Sequence, residues 1–329
     1  MDNRVQLAAA ILLTVGLFLG VQLGALLLVE PLSESDRQAV ENPDDPTNSL
    51  VFFGVIVLAT ALMLGLFRYD ADRVVRGLIV GVSVMLSWFV FVEALPAVIT
   101  VGETNVLAVV AALSVGVGLV VHPEWYVIDT AGVLIGAGAA GLFGISISLL
   151  PVLVFLVVLA VYDAISVYKT KHMLSLADGV MDLKIPVVFV VPTSLSYSYL
   201  DDPHRPDGGD EESAPPKADA ESSAREAPES VGHGDAMFVG LGDAVIPAIL
   251  VASAAHFLDA GAIDVALITL NAAALGAMIG TLVGLLILMY LVLKGRPHAG
   301  LPLLNTGAIG GYLIGAVASG VSLATALGL

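Results

Sequence analysis

Two carboxylates stand in segments that otherwise carry no charge. Asp163 lies in Leu159-Ala160-Val161-Tyr162-Asp163-Ala164-Ile165, and Asp243 in Phe238-Val239-Gly240-Leu241-Gly242-Asp243-Ala244-Val245-Ile246. An ionisable side chain inside an apolar span carries an insertion penalty of about 2.5 to 3.5 kcal/mol, so such residues mark function. Two carboxylates facing each other in a low-dielectric site cannot both ionise comfortably; they share a proton and titrate as a pair. Such a pair can hydrolyse a peptide bond. The ionised member takes a proton from the attacking water, and the protonated member donates to the carbonyl oxygen and then to the leaving nitrogen. The same residues could instead relay protons or bind cations in a transporter or channel, with Asp129 and Asn271 as further polar groups, or form a structural hydrogen-bonded pair. The two segments alone leave all three open.

Other chemistries lack their parts. The chain has no cysteine, which removes disulfides, thiol nucleophiles and cysteine-ligated metals. There is no His-Glu-x-x-His motif, so no zinc site of that kind, and no cofactor or metal is expected. Ser253 and His256 are neighbours towards the outer end of one helix but have no evident third member, and His256 reads as interfacial. Nothing points to a nucleic-acid partner.

The elements that must position the aspartates are membrane spans. With 57% hydrophobic and 13% charged residues, the chain is far more apolar than a soluble domain. Apolar runs predict an all-α, polytopic membrane protein of nine transmembrane helices, over 5–29, 50–67, 75–93, 105–121, 126–145, 148–168, 236–257, 265–293 and 302–325. The first run has no clear small-residue cleavage site and reads as a retained helix, not a signal peptide. With the N-terminus cytoplasmic, this count places twelve of the thirteen basic residues inside and only Arg37 outside. The loop between helices six and seven is then cytoplasmic and the C-terminus outside. Asp163 lies six residues from Lys169, and Asp243 seven from Ala236. At 1.5 Å per residue both sit about 9 to 10 Å below the inner surface, level with each other if the helices are antiparallel neighbours.

Residues 201–235 hold a third of the acidic residues in a chain of net charge −17 and are poor in large apolar side chains. Such a segment cannot offset its ordering entropy and reads as a disordered linker. Three regions follow: helices one to six over 1–168, an interfacial segment and acidic loop over 169–235, and helices seven to nine over 236–329. Within the middle region, residues 172–183 read as an amphipathic interfacial helix. Lys184 to Pro192, a β-branched run bounded by prolines, reads as a strand to which an extended substrate could add. Small residues at every fourth position, Gly132/Gly136/Ala140/Gly144, Gly276/Gly280/Gly284 and Gly307/Gly311/Gly315, read as faces of close helix packing. Asp129 and Glu93 lie near helix ends and read as interfacial.

Tyr162-Asp163 in helix six and Gly240-Leu241-Gly242-Asp243 in helix seven, separated by a long hydrophilic loop, resemble the paired signatures of presenilins and signal peptide peptidases, above all the archaeal presenilin homologues. The order of motifs and the six-plus-three division agree, so the resemblance covers nearly the whole chain. It implies an intramembrane aspartyl endopeptidase with Asp163 and Asp243 as catalytic residues and Tyr162, Gly240, Leu241 and Gly242 around them. The family's third signature, Pro-Ala-Leu before the last helix, is altered here. Leu301-Pro302 matches its end, while Ala299 and Gly300 stand where Pro and Ala are expected. The implied partners are transmembrane protein or peptide substrates and the lipid bilayer; a homo-oligomer is left open. The cytoplasmic loop matches the presenilin sense of insertion, which implies single-span substrates with the N-terminus outside.

Overall fold

The computed structural model describes residues 3–35, 37–69, 71–102, 104–170, 187–193, 197–198, 236–294 and 299–329. Its helices are α1 (Asn3–Glu34), α2 (Thr47–Arg68), α3 (Asp72–Ala94), α4 (Val106–Val121), α5 (Trp125–Ser146), α6 (Leu149–Ile165), α7 (Leu241–Phe257), α8 (Ala272–Leu293), α9 (Gly300–Ala318) and the short α10 (Leu323–Ala326). A π-helical turn, Ser166–Thr170, extends α6. Seven of the helices are long and apolar enough to cross a membrane, and α4 and α7 are shorter apolar helices. The chain is a mostly helical, multi-pass integral membrane protein. The acidic loop and the expected helix over 172–183 lie outside the described residues, as do Lys184, Ile185 and Pro186.

Two strand pairs interrupt the helices. β1 (Thr100–Val101) and β2 (Thr104–Asn105) form a small hairpin before α4. β3 (Val188–Pro192) pairs antiparallel with β4 (Ala236–Gly240), with Val188 opposite Gly240 and Pro192 opposite Ala236. Helix seven therefore starts at Leu241, not at 236. Met237, Phe238 and Val239 are as apolar as a helix would require, but β-branched and aromatic residues also suit a strand, and Gly240 and Gly242 weaken helix at its start.

Helix eight likewise starts later than hydropathy suggests, at Ala272 instead of 265. Asn271 caps it: its side chain accepts from the Ala274 N–H at 2.8 Å and donates to the Ala254 and Leu258 carbonyls at 2.7 Å each. The apolar residues before it turn back on themselves, with Leu267 at φ 72°. Helix nine ends at Ala318 instead of running to 325, because Gly320 at φ 86° breaks it before α10 begins.

The small-residue faces do pack backbone to backbone. A Cβ at Gly276, Gly280 or Gly284 of α8 would fall on the carbonyl oxygens of Gly311, Gly307 and Leu303 of α9. The α5 face instead receives α7 and β3, with Gly144 against Ala252, Gly136 against Val245 and Leu241, and Gly132 against Phe189. The largest core unites α1, α5, α6, α7, α8 and α9. By contrast α2 is exposed along most of its length and meets the bundle at α6. On the side where α3 ends, Glu93 pairs with Arg37 at 2.9 Å.

Candidate active site

Asp163 occupies the last turn of α6 and is 5% exposed. Asp243 is the third residue of α7 and half-buried. The N-terminus of α9 brings them together. The Leu301 N–H donates to Asp163 Oδ2 at 3.1 Å. At the preceding residue, Gly300, a Cβ would stand 2.9 Å from Asp243 Oδ2, so the bare Cα of Gly300 rests on that carboxylate. Consecutive residues thus touch both aspartates.

The arrangement has a simple electrostatic logic. The first N–H groups of a helix have no intrahelical acceptor and form the positive end of its dipole. In α9 one of these donors is used on a buried carboxylate. Pro302 is tolerated in the same first turn, where its missing N–H would have had no partner within the helix. Leu301 itself is buried and Pro302 half-buried.

The remaining predicted residues flank the aspartates along the chain, and their side chains have different surroundings. Tyr162 is half-buried, with its ring edge-on to Phe53 of α2 at 5.6 Å between centroids. Gly240 ends β4, and Leu241 starts α7 with its N–H on the Val187 carbonyl at 2.9 Å and its side chain against Gly132 and Gly136. Gly242 is exposed. The altered third motif falls at the centre of the site. Ala299 has an N–H that proline would lack, and it lies 3.5 Å from the Tyr168 hydroxyl, while Gly300 leaves Asp243 the space a methyl would fill. Tyr168 was not legible as a site residue, because as the last residue of the predicted span 148–168 it carries neither a charge nor a motif that marks it.

The family model for signal-peptide peptidase and presenilin aspartyl proteases matches residues 15–321. The chain belongs to this family. A presenilin family intramembrane aspartate protease solved in space group C222 is 35% identical, covering 94% of this chain and 99% of its own, with a TM-score of 0.63. A presenilin family intramembrane aspartate protease solved in space group P2 gives 35% identity, 92% and 96% coverage and a TM-score of 0.61. The comparison with curated proteins gives no match.

For this presenilin-family chain, several polar groups acquire definite structural partners. Ser253 donates to the Ile147 carbonyl at 2.8 Å, deep in the bundle, and Asn271 is consumed by its capping bonds. Asp129, read as interfacial, is buried within the protein and not water-facing. It is 3% exposed, and its Oδ1 accepts the Val190 N–H of β3 at 2.8 Å. That bond also closes the outer edge of β3 at Val190 to an added strand.

Proposed function

We propose that this intramembrane aspartyl protease hydrolyses peptide bonds of single-span segments with a water activated between Asp163 and Asp243. The reading rests on one observation, the contact of consecutive α9 residues with both carboxylates. The N–H of Leu301 favours negative charge on Asp163 Oδ2, because a hydrogen bond to the charged form stabilises it. The other carboxyl then keeps the shared proton. The ionised group takes a proton from the attacking water while the protonated group donates to the peptide carbonyl oxygen; the proton taken from water then passes to the nitrogen as the C–N bond breaks, and the diol hydroxyl returns its proton to the other carboxylate.

Nine spans are proposed, with α4 and α7 crossing beside the seven longer helices. Seventeen residues of α7 rise about 25 Å, and β4 adds about 17 Å of strand below it. On this count we read the N-terminus and the loop between α6 and α7 as cytoplasmic, divide the chain into the three regions 1–168, 169–235 and 236–329, and have substrates enter with the N-terminus outside. A helical substrate must unwind to expose its peptide bond. Since Asp129 occupies the β3 edge at Val190, the extended substrate is proposed on the β4 side, beside Gly240 and within reach of Asp243.

The test is cleavage of a single-span substrate, N-terminus outside, by the purified protein in detergent. Parent protein is expected to cleave, and Asp163→Asn and Asp243→Asn each to abolish cleavage. Retained cleavage in either variant would remove that residue from the mechanism, and cleavage only of the opposite substrate orientation would overturn the proposed insertion.

A further inference from the structure

Asp129 is a buried carboxyl that the peptide-hydrolysis step does not use. It sits in the second turn of α5, and its Oδ2 has no hydrogen-bond partner among the described residues. What the side chain does is hold Val190. The N–H of Val190 points at Asp129, so by the alternation of an antiparallel pair the Val190 and Phe238 couple is the non-hydrogen-bonded one, and Phe189 with Val239 and Val191 with Met237 carry the ladder. The Asp129 bond is therefore additional to the sheet and ties it to a helix.

The tie continues to the reacting groups. Phe189, next to Val190, presses on Gly132, where a Cβ would stand 2.9 Å from its ring. The carbonyl of Val187, just before the strand, accepts the N–H of Leu241, and Leu241 packs on the same α5 face at Gly136. Two residues later comes Asp243. A single face of α5 thus seats β3 by a hydrogen bond, by an aromatic contact and through the first residue of α7.

We propose that Asp129 is a positioning residue that fixes the β3 and β4 ribbon on α5, and with it the register in which a substrate strand meets the aspartate pair. The inference rests on the two-aspartate reading above and adds a specificity determinant to it. Its acceptor oxygen, not its charge, is the working part. A ribbon released from α5 holds the substrate strand loosely, which raises KM and scatters cleavage over neighbouring bonds while the aspartates and their α9 donor stay in place.

The experiment compares parent, Asp129→Asn and Asp129→Leu for kcat, KM, pH profile and cleavage positions by mass spectrometry on one single-span substrate. Asparagine keeps the acceptor and should match the parent in all four. Leucine should raise KM about five- to ten-fold, the loss expected for one buried hydrogen bond, and multiply the product species with little change in kcat. If leucine prevents folding, Val190→Pro removes the same bond from the strand side, at a position where the N–H is not part of the ladder. Asparagine as damaging as leucine would overturn the proposal in favour of a proton-bearing role, and parent-like cleavage by leucine would overturn it outright. An inactive parent protein would instead count against the two-aspartate reading, so the two failures are distinct.

Discussion

The Leu301 amide donates to Asp163 Oδ2 across the gap between α9 and α6 at 3.1 Å. The donor is backbone, so no side-chain substitution at 301 removes it directly. Replacing the Leu301 amide by an ester does. A hydrogen bond to a charged group contributes about 1.5 to 3 kcal/mol, so the ester variant is expected to cleave about ten- to a hundred-fold more slowly. The unfolding midpoint should fall as well, because buried Asp163 loses a donor, so rates are compared at a temperature where both proteins are fully folded. Unchanged cleavage by the ester would mean that the bond positions nothing.

Gly300 makes a sharper steric prediction. A Cβ there stands 2.9 Å from Asp243 Oδ2, the far end of a side chain that can yield by a few tenths of an ångström. Gly300→Ala should therefore keep activity within about three-fold of the parent, whereas the branched Gly300→Val leaves no such room and should lose at least about ten-fold. Rates of both variants, measured beside their unfolding midpoints, separate displacement of Asp243 from loss of fold.

These contacts separate what the local sequence carries from what only tertiary structure decides. Asp163 and Asp243 were legible because a charge inside an apolar run is expensive wherever the run packs. The first turn of helix seven was not. Met237-Phe238-Val239 satisfies hydropathy as helix or strand, and only pairing with residues 188–192 decides for strand. Asp129 lies near a helix end, which reads as a water-facing position; its burial depends on Val190, 61 residues away, crossing over it. Val265 to Leu270 reads as span by composition alone, yet the backbone turns there and Asn271 starts the helix. Gly300 drew notice only as a departure from a motif, since its contact with Asp243 is tertiary.

The proposed sharing of one proton by the pair predicts a pH dependence. With one ionised and one protonated carboxyl required, the rate against pH should be bell-shaped, and both limbs belong to the pair and not to either residue. Cleavage followed across pH in one detergent checks this. A rate that rises or falls monotonically over the whole stable range would exclude the reciprocal acid and base roles.

Asn271 should matter for stability and little for chemistry. Its amide makes three hydrogen bonds, one capping α8 and two to the carbonyls of Ala254 and Leu258 at the C-terminal end of α7. Asn271→Ala leaves those groups without it in a buried setting, and a destabilisation of about 1 to 3 kcal/mol is expected. The corresponding fall in the unfolding midpoint, with kcat unchanged below it, is the result to look for.

The contact between α8 and α9 links packing to catalysis. Gly280 and Gly307 approach so closely that a Cβ on Gly280 would clash with the Gly307 carbonyl oxygen, which is backbone and cannot rotate away. Gly280→Ala must then push α9 off α8, and overpacking of this kind costs about 1 to 3 kcal/mol. Because α9 carries Gly300 and Leu301 at its start, the displacement is transmitted to both aspartates. The variant should lose cleavage more steeply than Asn271→Ala at equal loss of stability, a comparison that activity measured against unfolding midpoint provides. Equal losses would mean that α9 bends locally at Gly307 and leaves its N-terminus in place.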